Sequence, residues 1–252
     1  MKTRDTDNII AGYRAAANRL VLLDYDGTLV NYELIPSDAR LPRHMYDVLQ
    51  RFIMNPGTRV FVITGRAQTD IEKMLDHLQI NIIAEHGSMI REGGIWRNLS
   101  SGPCQWKESI IPIMKQAVAD CPGSFLEEKK CSVAWHYRNA DSRSGIVHSR
   151  KLIRNLEETV LSSGLKLLDG NKVVEVLPGD TGKGEAVTML KDQDNYDYIL
   201  AIGDDKTDEE MFMNLSDDAN AWTIRVGSGR SHAKYGLEST GEVFSLLKRL
   251  SG

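Results

Sequence analysis

The chain has 252 residues, of which 41% are hydrophobic and 26% are charged, a balance typical of a folded globular protein rather than a disordered one. Its formal net charge of −4 gives no basic footprint, so we expect no nucleic-acid partner. No apolar run approaches the ~20 residues that a membrane span needs, so we expect no membrane partner. The start of the chain lacks the apolar core of a signal peptide, and the three cysteines form no Cys-x-x-Cys pair. These features predict a soluble, cytoplasmic protein with free thiols.

Short apolar runs alternate with amphipathic helical patterns in both outer parts of the chain. The predicted strands are Leu20–Leu23, Arg59–Thr64, Asn81–Ala84, Tyr198–Ile202 and Ala221–Val226. The predicted helices are Arg43–Met54, Gln68–Leu78, Lys183–Lys191 and Asp208–Leu215. Largely apolar strands that alternate with helices predict an α/β fold with a doubly wound, Rossmann-like parallel-sheet core.

The alternation breaks in the middle of the chain. There the predicted order is a helix at Trp106–Cys121, strands within Phe125–Arg138, a helix at Asp141–Ser163 and strands within Leu165–Leu177. Two long helices with antiparallel strand pairs suffice for a small inserted α+β domain. We therefore predict a core of residues 1–104 and 179–252, and an inserted domain of residues 105–178.

Local signals add three further expectations. Gly93-Gly94 and Asp169-Gly170-Asn171 each separate two apolar runs, so we predict a β-hairpin turn at both places. Met1–Asn8 is polar, and we expect this segment to be frayed.

An acidic turn follows the first predicted strand. Asp24 and Asp26 stand two residues apart, so an extended backbone projects both carboxylates to the same side. Two carboxylates a few ångströms apart repel each other by about 1 kcal/mol even in water. A divalent cation relieves that repulsion, and oxygen ligands suit Mg²⁺. Asp and Gly also build turns that have no function, but ligands collect at this edge of an α/β sheet, which favours a functional site.

Three later segments bring groups suited to phosphate or metal to the same edge. Thr64 and Gly65 end the second predicted strand, where the hydroxyl and the glycine amide suit an anion. Lys183 begins a helix, so its ammonium and the helix N-terminus both favour phosphate. The run from Gly203 to Glu209 closes another apolar strand with further carboxylates. Each signal alone is weak, since Thr-Gly often only ends a strand and a helical lysine is usually solvated.

Taken in order, DYDGTL, TGR, GKGEA and GDDKTDE resemble the four signature segments of the haloacid dehalogenase superfamily of phosphotransferases, and the resemblance covers the whole predicted core. It implies that Asp24 attacks phosphorus as the nucleophile. It also implies that Asp26 protonates the leaving oxygen and then deprotonates the attacking water. Thr64 and Lys183 would hold the phosphoryl oxygens, and Lys183 would offset the charge of Asp24.

The same resemblance implies a magnesium site. Its ligands would be the Asp24 carboxylate, the main-chain carbonyl of Asp26 and the Asp204 carboxylate. Asp205 and Asp208 would bind the ion through water or orient the ligands.

A finer resemblance, to the trehalose-6-phosphate phosphatases, rests on several segments. They are LLDYDGTL at 22–29, AEHG at 84–87, LEEK at 126–129, WHYR at 135–138 and VEVLP at 174–178 before GKGEA. The resemblance implies a phosphatase that hydrolyses trehalose 6-phosphate to trehalose and phosphate through an aspartyl phosphate, with Mg²⁺ as cofactor. The start of the chain resembles the entry into the phosphatase half of fused synthase–phosphatase chains, so a fused or associated trehalose-phosphate synthase domain is a further expectation.

The resemblance makes the inserted domain a substrate-specificity cap. Glu127, Lys129 and Glu175 are the expected sugar contacts, because carboxylates and an ammonium suit sugar hydroxyls. In an unbroken strand, His136 and Arg138 have the opposite parity to Lys129, so they cannot share its pocket without a bend or bulge. They either join the pocket or brace the strand or the contact between cap and core.

Two core residues keep two interpretations each, and the function keeps rivals. His86 contacts the substrate or is a core histidine, and Arg66 contacts the substrate or ties down the loop that carries Asp24. One rival function is a phosphatase for another sugar phosphate, of the sucrose 6-phosphate or mannosyl-3-phosphoglycerate type. The other is a non-catalytic sugar-phosphate-binding module, which has no need for both acids of the first turn.

Overall fold

The structure is a computed structural model that describes residues 1, 3–33, 35–75, 77–102 and 104–252. The chain divides into two compact units, the first formed by Met1–Arg97 with Gly182–Gly252 and the second by Asn98–Thr181. Within the described residues, no helix has both the length and the apolar character that a membrane span requires. The role of the inserted segment as a substrate-specificity cap stays a prediction.

The described strands, in chain order, are β1 (Arg19–Asp24), β2 (Thr58–Ile63), β3 (Asn81–Ala84), β4 (Met89–Glu92), β5 (Ile95–Asn98), β6 (Phe125–Glu128), β7 (Val133–His136), β8 (Leu165–Gly170), β9 (Val173–Pro178), β10 (Tyr198–Gly203), β11 (Ala221–Val226) and β12 (Tyr235–Leu237). The described α-helices are α1 (Thr3–Ala15), α2 (Arg43–Met54), α3 (Gln68–Met74), α4 (Lys107–Asp120), α5 (Ser142–Ser162), α6 (Lys183–Gln193), α7 (Lys206–Asn214) and α8 (Thr240–Leu250).

The first unit is built on an eight-stranded sheet of order β12-β11-β10-β1-β2-β3-β4-β5. Neighbouring strands from β12 to β3 pair in parallel, and β4 runs antiparallel to β3. The chain moves outward from β1 to β3 and later places β10 on the other side of β1, so the strand order reverses between β1 and β10. This arrangement confirms the predicted doubly wound core, and such a reversal is where open α/β sheets bind ligands.

The central strands hold the first unit together because both of their faces are covered. Every residue of β10 is buried, and so is every residue of β1 after Arg19. Helices α1, α2 and α8 contact one another, while α6 contacts α7. A strand buried on both faces needs apolar side chains at consecutive positions, which is why Leu20–Leu23 reads as a continuous apolar run.

The expectation of a frayed N-terminus is wrong, because α1 begins at Thr3. Its second half buries Ile9 completely and places the Tyr13 ring edge-on to Phe52, with centroids 5.7 Å apart. The first turns of the helix are polar and largely exposed, so they carry no apolar periodicity. The tertiary contacts of the second half therefore stabilise the helix, and the sequence of the first eight residues does not predict it.

The second unit is a four-stranded antiparallel sheet of order β6-β7-β9-β8 with helices α4 and α5 packed on one face. The predicted α+β arrangement is present. The buried cluster between sheet and helices contains Val133, Trp135 and Val176 from the strands and Leu156 from α5. Alternate strand residues point to the opposite face of the sheet, which is therefore the face without helices.

Two local predictions need correction, and one holds. Gly93 and Gly94 form the predicted turn with φ of 56° and 82°, a conformation that glycine adopts without strain. The turn predicted at Asp169-Gly170-Asn171 lies further along the chain, because β8 continues through Gly170 and Lys172 takes the left-handed conformation with φ of 63°. Helix α3 ends at Met74, four residues before the predicted end at Leu78, where a turn keeps the leucine buried.

The covered sheet predicts how two isoleucines of the same sheet differ. Ile82→Ala in β3 removes a fully buried side chain, so we expect the free energy of unfolding to fall by about 2–5 kcal/mol. Ile95→Ala in β5 removes a side chain that is 69% exposed, and we expect a change within about 0.5 kcal/mol. Urea denaturation followed by circular dichroism measures both. Equal midpoints for the two variants would contradict this assignment of the core.

Candidate active site

The strand register brings three predicted segments to one edge of the sheet. Asp24 at the end of β1 pairs with Ile63 of β2, and the residue before Asp24 pairs with Ile202 of β10. Thr64 and Asp204 follow these two partners within two residues, so they flank Asp24 at the carboxyl ends of the strands. The acidic turn, the threonine segment and the second acidic run thus share one side of the first unit.

Lys183 is the centre of this edge. Its ammonium nitrogen lies 2.7 Å from Oδ1 of Asp24 and 2.7 Å from Oδ1 of Asp208. The side chain is only 2% exposed, so both ion pairs are shielded from water. Lys183 is the first residue of α6, and the backbone of Gly182 forms the helix cap. The structure therefore joins the helix start, the first acid and the second acidic run through one buried cation.

Asp208 and Asp205 shape the loop before α7. Oδ2 of Asp208 accepts hydrogen bonds from the main-chain nitrogens of Asp204 at 2.9 Å and Asp205 at 3.1 Å. Asp205 caps the helix by accepting a hydrogen bond from the main-chain nitrogen of Thr207 at 2.8 Å, so α7 begins two residues earlier than predicted. Since Lys183 occupies the other oxygen of Asp208, both of its oxygens have protein partners. This geometry favours an orienting role for Asp208 over metal binding.

Gly27 lets the two acidic segments touch. It has a φ of 78°, and a Cβ atom placed on it would lie 2.3 Å from Oδ2 of Asp204. Any side chain at this position would collide with the Asp204 carboxylate. The glycine of the DYDGTL segment is therefore required by close approach as well as by backbone conformation.

The residues present fit a divalent cation. Asp24, Asp204 and Asp208 each offer a carboxylate oxygen, and these oxygens lie within 4.8 Å of one another. Oδ1 of Asp204 is buried and has no hydrogen-bond partner among the described residues. A buried carboxylate oxygen without a partner is costly, and an oxygen-only donor set suits Mg²⁺. The Asp24 and Asp204 carboxylates are the groups in this cluster with an oxygen left for the ion.

The charges of the cluster also favour a bound divalent cation. Burial raises the pKa of Asp24 well above its usual range; Lys183 opposes this rise, and Asp208 and Asp204 add to it. Burial, together with Asp208 and Asp205, raises the pKa of Asp204 to about 7. Burial opposes the charge of Lys183, but Asp208 and Asp24 outweigh it and keep the pKa of Lys183 well above its usual range. One ammonium thus faces several carboxylates, and a bound divalent cation would offset the excess negative charge.

Arg66 holds the second acid of the turn. Its Nε donates to Oδ2 of Asp26 at 2.7 Å and its Nη2 donates to Oδ1 at 2.6 Å, a bidentate pair that fixes the carboxylate plane. The guanidinium also lies over the Tyr25 ring, 5.4 Å from the centroid. Of the two interpretations of Arg66, this contact favours tying down the acidic turn. A direct contact between Arg66 and substrate stays a prediction.

His86 lies against the threonine segment in an unusual backbone conformation. Its φ is 53°, and Glu85 before it has a φ of 51°, values that cost non-glycine residues energy and are frequent at functional sites. The main-chain nitrogen of His86 donates to the Thr64 carbonyl at 3.0 Å. A Cβ on Gly65 would lie 2.2 Å from the ring nitrogen Nε2 of His86. The ring therefore borders the predicted phosphate-binding segment, and its contact with substrate stays a prediction.

In the second unit, the strand register places the predicted sugar contacts on the face without helices. Glu127 of β6 lies opposite Ala134 of β7, which lies opposite Glu175 of β9. His136 follows Ala134 by two residues, so it shares that face. The parity argument allowed His136 to share the pocket of Lys129 only if the strand is interrupted, and the turn between β6 and β7 is such an interruption.

The polar groups on this face are paired. Lys129 Nζ lies 2.8 Å from Oε1 of Glu175, and both side chains are buried. Nε2 of His136 lies 2.7 Å from Oε2 of Glu127. Burial opposes the charge of Glu127, but His136 and Lys129 lower its pKa below the usual value, so it stays a carboxylate. Arg138 lies beyond the strand and donates to the main-chain oxygen of Asn171 at 3.1 Å, a contact that braces the next hairpin.

Sequence reasoning missed three side chains that contact these groups. Lys107 is buried and donates from Nζ to the main-chain oxygens of Lys129 and, at 3.0 Å, of Lys130, so it holds the turn that carries Lys129. Ser132 donates to Oε1 of Glu175 at 2.5 Å, and Tyr32 donates to Oδ2 of Asp204 at 3.0 Å. None of the three stands in a motif, and all three are distant in sequence from their partners, so no local pattern identifies them.

Comparison with known proteins identifies the family. The sequence matches the family described as trehalose-phosphatase over residues 22–247. The chain belongs to the trehalose-phosphatase family. It is 38% identical over 245 residues to the alpha,alpha-trehalose-phosphate synthase [UDP-forming] B of Dictyostelium discoideum, covering 95% of this chain and 31% of that protein. It is 36% identical over 251 residues to the bifunctional trehalose-6-phosphate synthase/phosphatase of Thermoproteus tenax, covering 99% of this chain and 34% of that protein.

The fold is also that of a solved trehalose-phosphatase family member. The C-terminal domain of trehalose-6-phosphate phosphatase from C. albicans superimposes with a TM-score of 0.90 at 28% identity, covering 98% of this chain and 97% of that chain. The chain spans about a third of the length of the curated relatives above. The family and fold predicted from the sequence are confirmed.

The close approach at Gly27 yields a test of the acidic turn in this member of the trehalose-phosphatase family. Gly27→Ala adds a Cβ that collides with Asp204, so we expect phosphate release from a small phosphate ester to fall by at least about tenfold, the range seen when groups around metal ligands are displaced. Gly93→Ala is the matched control, because Gly93 also has a positive φ but a Cβ there meets nothing within 4 Å. Equal activity of the two variants would show that the contact with Asp204 is unimportant.

Proposed function

We propose that this chain is a magnesium-dependent phosphatase that hydrolyses trehalose 6-phosphate to trehalose and phosphate through an aspartyl phosphate on Asp24. The observation that carries the proposal is the buried arrangement in which Lys183 bridges Asp24 and Asp208 beside the free oxygen of Asp204. Membership of the trehalose-phosphatase family and the similarity to the C. albicans structure support the choice of substrate.

In the proposed reaction, the Asp24 carboxylate attacks phosphorus, a bond forms between its oxygen and phosphorus, and the bond from phosphorus to the sugar oxygen breaks. Asp26 gives its proton to the departing sugar oxygen. Asp26 then takes a proton from a water molecule that attacks the aspartyl phosphate, which releases phosphate and restores both acids. In the substrate-free arrangement, the bidentate contact with Arg66 holds the ionised Asp26 carboxylate in one plane; for Asp26 to carry the proton, one of these two hydrogen bonds has to open.

The remaining groups of the first unit hold the phosphoryl group and compensate its negative charge. Thr64, the Gly65 amide and Lys183 hold phosphoryl oxygens, and the two ion pairs of Lys183 fix its ammonium at Asp24. Asp24, Asp204 and the main-chain carbonyl of Asp26 are the proposed ligands of Mg²⁺, which when bound supplies charge compensation for the phosphoryl group. Phosphoryl transfer depends chiefly on such positioning and charge compensation.

The polar face of the second unit is the proposed sugar-recognition surface. Glu127 and Glu175 offer acceptors and Lys129 offers donors, a set that matches the hydroxyls of a disaccharide. Lys129 and Glu175 contact each other and Glu127 contacts His136, so the side chains are fixed before substrate binds, which limits the conformational entropy lost on binding. Arg66 and His86 are proposed as substrate contacts in the first unit.

The relatives suggest a partner and a cellular setting. Two of them carry the word synthase in their names and are about three times as long as the aligned segment. We propose that a trehalose-phosphate synthase domain is fused to this chain or associated with it, and that the protein acts in the cytoplasm. Co-purification with synthase activity from the source cells tests the association.

The covalent step predicts the behaviour of a nearly isosteric variant. Asp24→Asn removes the nucleophile but keeps the side-chain volume, so we expect turnover to be abolished and no acid-stable phosphate to remain on the protein after quenching. Circular dichroism checks that the variant folds. Substantial residual hydrolysis by Asp24→Asn would exclude the aspartyl-phosphate mechanism.

The sugar surface predicts a loss that depends on substrate. Glu175→Gln removes a charged acceptor, so kcat/KM for trehalose 6-phosphate should fall roughly 10- to 100-fold, the scale of a hydrogen bond to a charged group. Hydrolysis of a small generic phosphate ester should change little. Glu158→Gln is the control, because Glu158 lies exposed on α5 of the same unit. An equal loss on both substrates would refute a role for Glu175 in sugar selection.

One panel of substrates separates the rival functions. Phosphate release is measured from trehalose 6-phosphate, sucrose 6-phosphate and mannosyl-3-phosphoglycerate, each with and without Mg²⁺. We expect a clear preference for trehalose 6-phosphate that requires Mg²⁺. A preference for another sugar phosphate would change the substrate, and binding without hydrolysis would favour a non-catalytic module.

A further inference from the structure

Tyr32 belongs to none of the four signature segments, but its side chain contacts the acidic cluster. It lies six residues after Asp26, and its hydroxyl donates to Oδ2 of Asp204 at 3.0 Å. The side chain is 53% exposed, so its ring contributes little to the hydrophobic core. The specific contact of Tyr32 is therefore its hydrogen bond to Asp204, a proposed ligand of the metal ion.

The two oxygens of the Asp204 carboxylate have different surroundings. Oδ2 receives the hydrogen bond from Tyr32, while both oxygens lie close to Gly27, 2.3 Å (Oδ2) and 2.8 Å (Oδ1) from the Cβ that a side chain there would add. Oδ1 is buried and has no hydrogen-bond partner within the described chain. Fixing one oxygen fixes the rotation of the whole carboxylate, and the other oxygen is left for a ligand.

The Tyr32 hydroxyl is suited to this task because it keeps its proton. A tyrosine hydroxyl has an ordinary pKa of about 10, so it is protonated at neutral pH and donates one hydrogen bond.

We propose that Tyr32 is a positioning residue for the metal site, which holds Asp204 so that its free Oδ1 is presented to the divalent cation. The proposal rests on the magnesium site of the proposed function and extends it to a residue outside the four motifs. In metal sites, groups that hydrogen-bond a ligand fix its orientation, and their loss typically costs about 10- to 100-fold in metal affinity or activity.

The test uses Tyr32→Phe, which removes only the hydroxyl. Binding of Mg²⁺ to the substrate-free protein is measured by calorimetry, and phosphate release is measured as a function of Mg²⁺ concentration. We expect the Kd for Mg²⁺ to rise about 10-fold or more, while kcat at saturating Mg²⁺ stays close to that of the original chain. Tyr46→Phe is the matched control, because its hydroxyl donates to the His77 carbonyl at 2.8 Å, away from the acidic cluster.

The outcomes are distinct. An unchanged Kd for Mg²⁺ in Tyr32→Phe overturns the proposal, and so does a fall in kcat at saturating Mg²⁺ with the Kd unchanged, which would place the hydroxyl at the substrate. If the original chain binds Mg²⁺ and Tyr32→Phe weakens that binding, but no trehalose 6-phosphate is hydrolysed, the positioning role stands and the proposed substrate falls. If the original chain binds no Mg²⁺, both fall.

Discussion

A buried ammonium between two carboxylates is the interaction on which the candidate active site depends. Lys183, at the start of α6, contacts Asp24 at the end of β1 and Asp208 in the first turn of α7. A charge enclosed in this way is tolerated only when it is paired, so the three elements must meet in one arrangement. Removal of either carboxylate leaves a buried charge without full compensation. The same ion pairs that organise the loops therefore also hold the proposed nucleophile in place.

The sheet explains why residues so far apart in sequence can form this cluster. Parallel strands end at a common edge, and the reversal of strand order places β10 beside β1. Asp204 follows β10 and Asp24 ends β1, so their proximity follows from topology. Gly27 then allows a contact that a side chain would block. Secondary structure sets the approximate position, and local backbone chemistry sets the final distance.

The sequence predicted the parts of the fold that repeat a strong local pattern. The apolar run Leu20–Leu23 predicts a strand because a strand buried on both faces needs apolar side chains at consecutive positions, and the acids after it mark where the strand ends. Helix α1, strand β12 and helix α8 were not anticipated, since their burial depends on distant partners. The face of His136 stayed open in the sequence because parity holds only inside one strand, and the break between β6 and β7 is visible only in the structure. Lys107 and Tyr32 act on groups remote in sequence, so their contacts exist only after folding.

Ala134 gives the polar face of the second unit its shape. It lies opposite both Glu127 and Glu175, with neighbouring strands on either side. Directly opposed residues in adjacent strands have Cβ atoms about 4.5–5.5 Å apart, so a methyl group is all that stands between the two acidic side chains. A bulkier residue there would occupy the space between them. On the proposed sugar surface, the space between the two acids is thus set by the methyl side chain of one alanine, and a larger residue at this position would change that space while leaving every charged group in place.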